Sequence, residues 1–391
     1  MLEMGSEACA SRSGRTLWYS VFQALENERC LDLRIRATLT GLQNHDIIPN
    51  YKVLKQLALR ERLGMLYRFF IAMALIIIPI LALFQWILAL FVSAIRTRGE
   101  SGVTLHIVPS VQANISLIEA ALRTDLNLKE QLHDHIILAT GHLSGKVGLI
   151  GVMHCIASHM RLFFRILRMD GRRRLDLLLH SRDAFVLLML VCYAQRHPGH
   201  VFVTDDHYQR WAFLLSHNCR DFRIVQHGFL DSNIAFAHSF GIVQTLYVCD
   251  SIFLPEFATY YNVLECRFFS PITNLTPNPY SEVGLFLASS FPSIDDEIEL
   301  LTQIKAHRDV SVIVKFHPAH LYNSQKVRLA ALASYVCTNN ENPMCKVFIS
   351  HNSFMEFTYK ACGIPTFSII RSGGPSKAAQ DILAFFDQAS P

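Results

Sequence analysis

"VSVIVKFHP", residues 310–318, is an apolar run that ends on a histidine pinned in front of a proline. Val310, Val312, Ile313, Val314 and Phe316 dominate it, with Ser311 and Lys315 as the polar interruptions. A run this continuous fits a strand covered on both faces, as in a parallel sheet, better than a strand with one wet face. Pro318 confines the backbone of His317 to extended conformations and stops the strand. The strand therefore delivers a histidine at its carboxyl end.

The same design recurs on either side. Candidate strands are "VTLHIV" (103–108), "HIILAT" (135–140), "LDLLLH" (175–180), "HVFVTD" (200–205), "FRIVQH" (222–227) and "TLYVCD" (245–250). Further on come "EVGLFLA" (282–288), "KVFIS" (346–350) and "IPTFSII" (364–370), with helical stretches between most of them. Apolar strands alternating with helices imply α/β domains with parallel sheets. "SPITNLTPNPY", residues 270–280, holds three prolines and no apolar period, and marks a domain boundary. The expected order is a helical region over 1–68, an apolar segment over 69–95, and α/β domains over 100–270 and 281–391. Ligands of such domains bind outside the carboxyl ends of the strands, and a cleft between two of them is a usual place.

"FFIAMALIIIPILALFQWILALFVSAI", residues 69–95, has no charge. As a helix it is roughly 40 Å long, more than the ~30 Å hydrocarbon core of a bilayer requires. A membrane segment is expected. Lys52, Lys55, Arg60, Arg62 and Arg68 precede it and Arg96 and Arg98 follow. The positive-inside bias places the N-terminus in the cytoplasm if the segment spans. Pro79 allows the other case, a broken helix that dips in and returns, with both flanks cytoplasmic.

The net charge of +4 is too mild for a nucleic-acid protein, and 51% apolar residues permit large cores. Ten cysteines stand singly, without a CxxC pair, which argues against a zinc site and for reduced thiols. "GHLSGKVG", 141–148, misses the P-loop spacing, and no GxGxxG or HExxH is present. Neither a cofactor nor a metal is expected.

Four stretches carry candidate chemistry. In "FRIVQHGFLD" (222–231), His227 ends a strand as His317 does, and imidazole suits general base work or phosphate neutralisation. "HVFVTDDHYQRW" (200–211) ends a strand on Asp205 and Asp206, either a helix cap or a carboxylate that deprotonates an acceptor hydroxyl. In "FISHNSFMEFTYKACGIPTF" (348–367), Ser353 and Glu356 have capping-box spacing. They cap the helix, or else the turn Ser350, His351, Asn352, Ser353 meets a phosphate while Glu356 reaches a sugar hydroxyl. Arg161, Arg165, Arg168 and Arg172 recur at helical spacing beside Leu162, Phe163, Ile166 and Leu167, either a solvated face or one that meets anionic lipid.

Together, "VQHG" (225–228), "KFHP" (315–318) and "SHNSFMEFTYKACGIP" (350–365) resemble the motifs of bacterial surface-polysaccharide transferases of the two-domain GT-B fold. That group includes capsule-synthesis transferases, polysialyltransferases and the glycerophosphotransferases of teichoic acid assembly. The resemblance covers about residues 200–370 and implies two Rossmann-like domains. It implies that His317, with Lys315, contacts the donor's phosphates, that Ser350, Asn352 and Ser353 form the phosphate loop, and that Glu356 is the acidic residue of the next helix. His227 matches the histidine that lines the reaction centre. The implied donor is CMP- or CDP-linked, with no metal in the core of the fold. The acidic-acidic-Gly motif of the polysialyltransferases is missing, since His207 follows Asp205–Asp206.

The expected protein is a membrane-associated glycosyltransferase or sugar-phosphate transferase on the cytoplasmic face of a bacterial inner membrane. Its partners are a nucleotide-sugar donor, a polysaccharide or lipid-linked acceptor and membrane lipid, with His227 or Asp206 taking the acceptor's proton. The alternatives are a nucleotide-sugar epimerase of the same architecture and a catalytically silent membrane scaffold.

Overall fold

The structure is a computed structural model. It describes residues 16–41, 64, 66–95, 104–109, 114–125, 128, 136–137, 143–205, 207–228, 234–271, 275–277, 284–289, 294–316, 324–337, 341–351 and 353–388. The chain is mixed α/β and divides into two compact units, one of residues 1–37 and 55–269, the other of 38–54 and 270–391.

The first unit holds β1 (Leu105–Val108), β2 (Ile136–Ile137), β3 (Val201–Thr204), β4 (Asp221–Val225), β5 (Ile242–Val248) and β6 (Asn262–Phe268). They form one sheet in the order β2-β1-β3-β4-β5-β6, every pair parallel. β1 and β3 are buried along their whole length, which is why they read as unbroken apolar runs. Leu105, Ile107, Val201, Val203, Val225 and Tyr247 pack with Ile118 and Leu122 of α3 (Ile115–Leu122) in one core. Buried Asp125 ties three strands together, accepting from Arg223, Arg267 and the Tyr247 hydroxyl.

"LDLLLH" (175–180), expected as a strand, is the second half of a helix, Gly171–His180. Asp176 and His180, four apart, share a helical face and meet charged partners on α1 (Leu17–Gly41). Asp176 pairs with Arg29 at 3.6 Å, and His180 reaches Asp32 at 3.1 Å and Glu28 at 3.4 Å. Glu28 is also gripped by one edge of Arg210, with contacts of 2.7 and 2.6 Å from Nε and Nη2. Burial raises the Glu28 carboxyl, but the Arg210 and His180 charges outweigh it and hold the group at about 2. Helix α1 is thus an integral part of the first unit.

The apolar segment forms one helix, α2 (Leu66–Ile95), that runs through Pro79. Beside it lies α4 (Leu143–Leu167), bent at Gly148, whose φ of 71° belongs to the left-handed region. Among the described residues, three helical stretches are long and apolar enough to cross a membrane: Ile76–Ile95, Leu143–Leu167 and Arg173–Arg196. The last contains α5 (Gly171–His180) from Arg173 and α6 (Ala184–Arg196), where Phe185 and every residue from Leu187 to Ala194 is buried.

In the second unit, α7 and α8 having been the helices Arg210–Asn218 and Leu254–Tyr260 of the first, α9 (Ile294–His307) follows β7 (Leu285–Ser289). Next come β8 (Val312–Phe316), α10 (Ser324–Leu332), β9 (Tyr335–Val336), β10 (Val347–Ser350), α11 (Met355–Ala361) and β11 (Thr366–Ser368). The five strands are parallel in the order β11-β10-β7-β8-β9. Leu285, Leu287, Val312, Val314, Val347 and Ile349 form the core with α9 and the last helix, Pro375–Gln388.

Candidate functional site

In the first sheet the order reverses at β1. The chain passes from β1 to β2 on one side, and β3 then pairs with the other side of β1. At such a reversal the loops leaving the two strands part company, which opens a crevice outside their carboxyl ends. Three polar residues meet there. Thr204 ends β3 and donates to the Val108 carbonyl at the end of β1, at 2.7 Å. Asn114, which opens α3, donates to the carboxylate of Asp205, a residue without solvent exposure.

His227 completes the group from the end of β4. Its Nδ1 faces the carbonyl oxygen of Asp205, with the Asp205 carboxylate 3.5 Å away. A carbonyl can only accept, so Nδ1 carries the proton and Nε2 keeps its lone pair. The side chain is 34% exposed. An imidazole held in one tautomer on a part-exposed side chain, with Nε2 not engaged, is equipped to take a proton.

Behind it stands His207. The His227 backbone N–H donates to His207 Nε2 at 2.9 Å, and the two rings lie 4.4 Å apart. The Tyr261 hydroxyl donates to the His207 carbonyl. Burial, with the nearby His227 charge, pushes the His207 imidazole well below its ordinary range. It is a neutral acceptor that fixes the His227 backbone. The Gln226 amide secures the strand end from the other side, accepting from Cys249 N–H at 3.1 Å and donating to the Gly228 carbonyl at 3.3 Å.

In the second sheet the order reverses at β7, between β8 and β10. His351, directly after β10, meets Asp296 in the first turn of α9 with Nε2 to Oδ2 at 3.2 Å, and Ser289 at the end of β7 donates to buried Glu297. Ser350 is fully buried, and its hydroxyl accepts the Ser353 N–H at 3.2 Å. The Ser353 hydroxyl accepts the Met355 N–H at 3.3 Å. The reciprocal bond expected of a capping box is not made: Ser350 has taken the Ser353 N–H, and the Glu356 carboxylate pairs with Arg371. Lys315 donates to the Glu341 carbonyl at 2.8 Å and to Asn342 at 3.1 Å, and burial lowers its ammonium.

Of the expected site residues, Ser350 and Ser353 are thus in contact, while Lys315 and Glu356 have partners of their own. Asp206, His317 and Asn352 lie outside the described residues. Asn114 and Asp296 were not singled out from the sequence. Each lies at the start of the helix that follows the strand where its sheet's order reverses, so the signal was the strand order. Among the described residues no group of three or more His, Cys, Asp or Glu is arranged to hold a metal ion. In comparison with known families and proteins, the chain matches no family model and no curated protein.

Proposed function

We propose that the chain is a membrane-associated glycosyltransferase or sugar-phosphate transferase of GT-B-like organisation. It takes a nucleotide-activated donor, CMP- or CDP-linked, and serves surface polysaccharide assembly at the cytoplasmic face of a bacterial membrane. The observation that carries this assignment is His227 at the carboxyl end of β4, its Nδ1 engaged by Asp205 and its Nε2 available. In the reaction, Nε2 takes the proton of the acceptor hydroxyl. The acceptor oxygen forms its bond to the transferred group as the bond from that group to the donor's nucleotide phosphate breaks. On the second unit, His317 and the 350–353 turn are the proposed hold on the donor.

One observation favours the silent scaffold as a second reading: Lys315, Ser350 and Glu356 each have an intramolecular partner. Nucleotide binding separates the two. As a transferase the purified full chain gains several degrees of melting temperature with saturating CMP, CDP or UDP, and His317→Ala reduces the gain. If none of the three nucleotides moves the transition, the scaffold stands.

A further inference from the structure

Helix α2 has the chain on both sides of it bound into one unit. Ahead of it, Glu26 on α1 pairs with Arg173 and with His238 at 3.2 Å, and Glu28 pairs with Arg210. Asn27 and the His238 backbone exchange hydrogen bonds of 2.8 and 2.9 Å. Arg173, Arg210 and His238 all come after α2 in the chain. A single crossing by α2 would separate these partners by a bilayer and break every one of those bonds.

The outer surface completes the picture. Helix α4 runs beside α2, where the Trp86 indole donates to His159 at 3.0 Å, and packs on its other flank against buried α6. A stripe of α4 from Gly151 through Cys155 and Leu162 to Ile166 is buried, so α4 lies along the body instead of projecting from it. Its bend at Gly148 interrupts it as a straight rod. The opposite faces are apolar and open: Phe84 is 65% exposed, Phe91 64%, Ile150 82% and Phe164 59%. Apolar patches of more than a few hundred Å² are uncommon on a water-facing surface. Exposed Arg161 and Arg165 stand on the same α4 and exposed Arg168 directly follows its end. Long basic side chains can reach lipid phosphates while their stems stay in apolar surroundings.

We propose that α2 and α4 form a single in-plane face that enters one leaflet of an anionic bilayer, with all the rest of the chain on one side of it. This deepens the membrane-associated part of the function proposed above and is independent of the chemistry.

The test uses the full chain, detergent-solubilised and mixed with sealed vesicles of phosphatidylcholine with or without phosphatidylglycerol. An impermeant maleimide added outside is read site by site by mass spectrometry at Cys362 and at Tyr19→Cys, both exposed positions, one after and one before α2. The expected result is equal labelling of both in the sealed vesicles. Labelling of one only after the vesicles are opened would mean a crossing and overturn the in-plane face, leaving membrane association intact. Flotation with the vesicles is expected to depend on phosphatidylglycerol. Arg161→Gln with Arg168→Gln weakens it roughly twenty-five-fold at about fivefold per arginine, and Ile150→Glu weakens it at least as much with unchanged melting in detergent. Loss of flotation altogether, with the chain a dimer in detergent-free buffer, would assign the face to a second copy and refute the membrane reading itself.

Discussion

The backbone N–H of His227 donates to Nε2 of His207 across 2.9 Å, so the half-buried histidine is anchored by a buried one. The acceptor lone pair requires His207 to be neutral, and burial enforces that. Replacing it by phenylalanine keeps the ring and deletes the acceptor. His207→Phe is expected to cost roughly 1–3 kcal/mol, the range for leaving a buried donor unmade, and, by freeing the His227 backbone, to draw its ring away from the Asp205 carbonyl that fixes its tautomer. His207→Gln, which restores an acceptor, should recover part of both. Denaturant melts give the stability, and the His227 imidazole resonances give the tautomer. A single unchanged set of resonances in His207→Phe would refute the anchoring role.

Acid should destabilise the protein in two stages. His207 is held well below its ordinary range by burial, and His106 is lowered to about 3 by burial and by the charges of His200 and Lys146. The unfolded chain binds protons at these sites near 6.5, and the native chain does not. The stability these two groups contribute is therefore complete above that pH and falls below it, by up to roughly 1.4 kcal/mol per pH unit for each group. His180 runs the other way: its burial is outweighed by its bonds to Asp32 and Glu28, which raise it to about 9, so the stability it contributes is lost as pH rises from about 6.5 through 9. Below 4.5, Glu28 adds to the loss, because its folded value of about 2 lies under its unfolded one. Melting temperatures at pH 8, 6, 5 and 4 check this. A curve flat from pH 8 to 5 contradicts it.

Arg210 is nearly buried and grips Glu28 by two contacts, with Asp183 at 3.3 Å from its outer nitrogen. Arg210→Ala strands the Glu28 carboxylate in the interior and is expected to cost roughly 3–5 kcal/mol. Pairing it with Glu28→Gln should be less damaging than the single change, since a buried carboxylate is then no longer left with His180 as its main partner. A double-mutant cycle by denaturant melts measures the difference.

Gly241 sits where a Cβ would overlap the Ser216 carbonyl oxygen at the end of α7. Backbone cannot swing aside as a side-chain tip does. Gly241→Ala is expected to cost roughly 1–3 kcal/mol and to lower the melting temperature, whereas Gly199→Ala, which meets open space, leaves it within experimental error.

The strands were legible where burial on both faces made them continuously apolar, as at β1, β3, β7 and β10. Edge strand β6 was not, because "NVLECRF" is mostly exposed and carries Glu265 and Arg267. "LDLLLH" looked like a strand because its leucines hide the spacing of Asp176 and His180, whose partners sit on α1. The site divides in the same way. His227 announced itself as a strand-end histidine next to glycine. His207 registered only as the residue standing where a motif has glycine, and its bond to His227 exists because β3 and β4 are neighbours. Glu356 had the spacing of a cap, but Arg371, from a later element, claimed its carboxylate.

Helix α1 also sets a timetable for synthesis. It is the first described element to leave the ribosome, yet Glu26 waits 147 residues for Arg173 and 212 for His238. Contacts that close so large a loop form late. Helix α1 is therefore a clasp that the nascent chain can shut only once residue 238 has been made, and a ribosome stalled before that point would display it open to proteases.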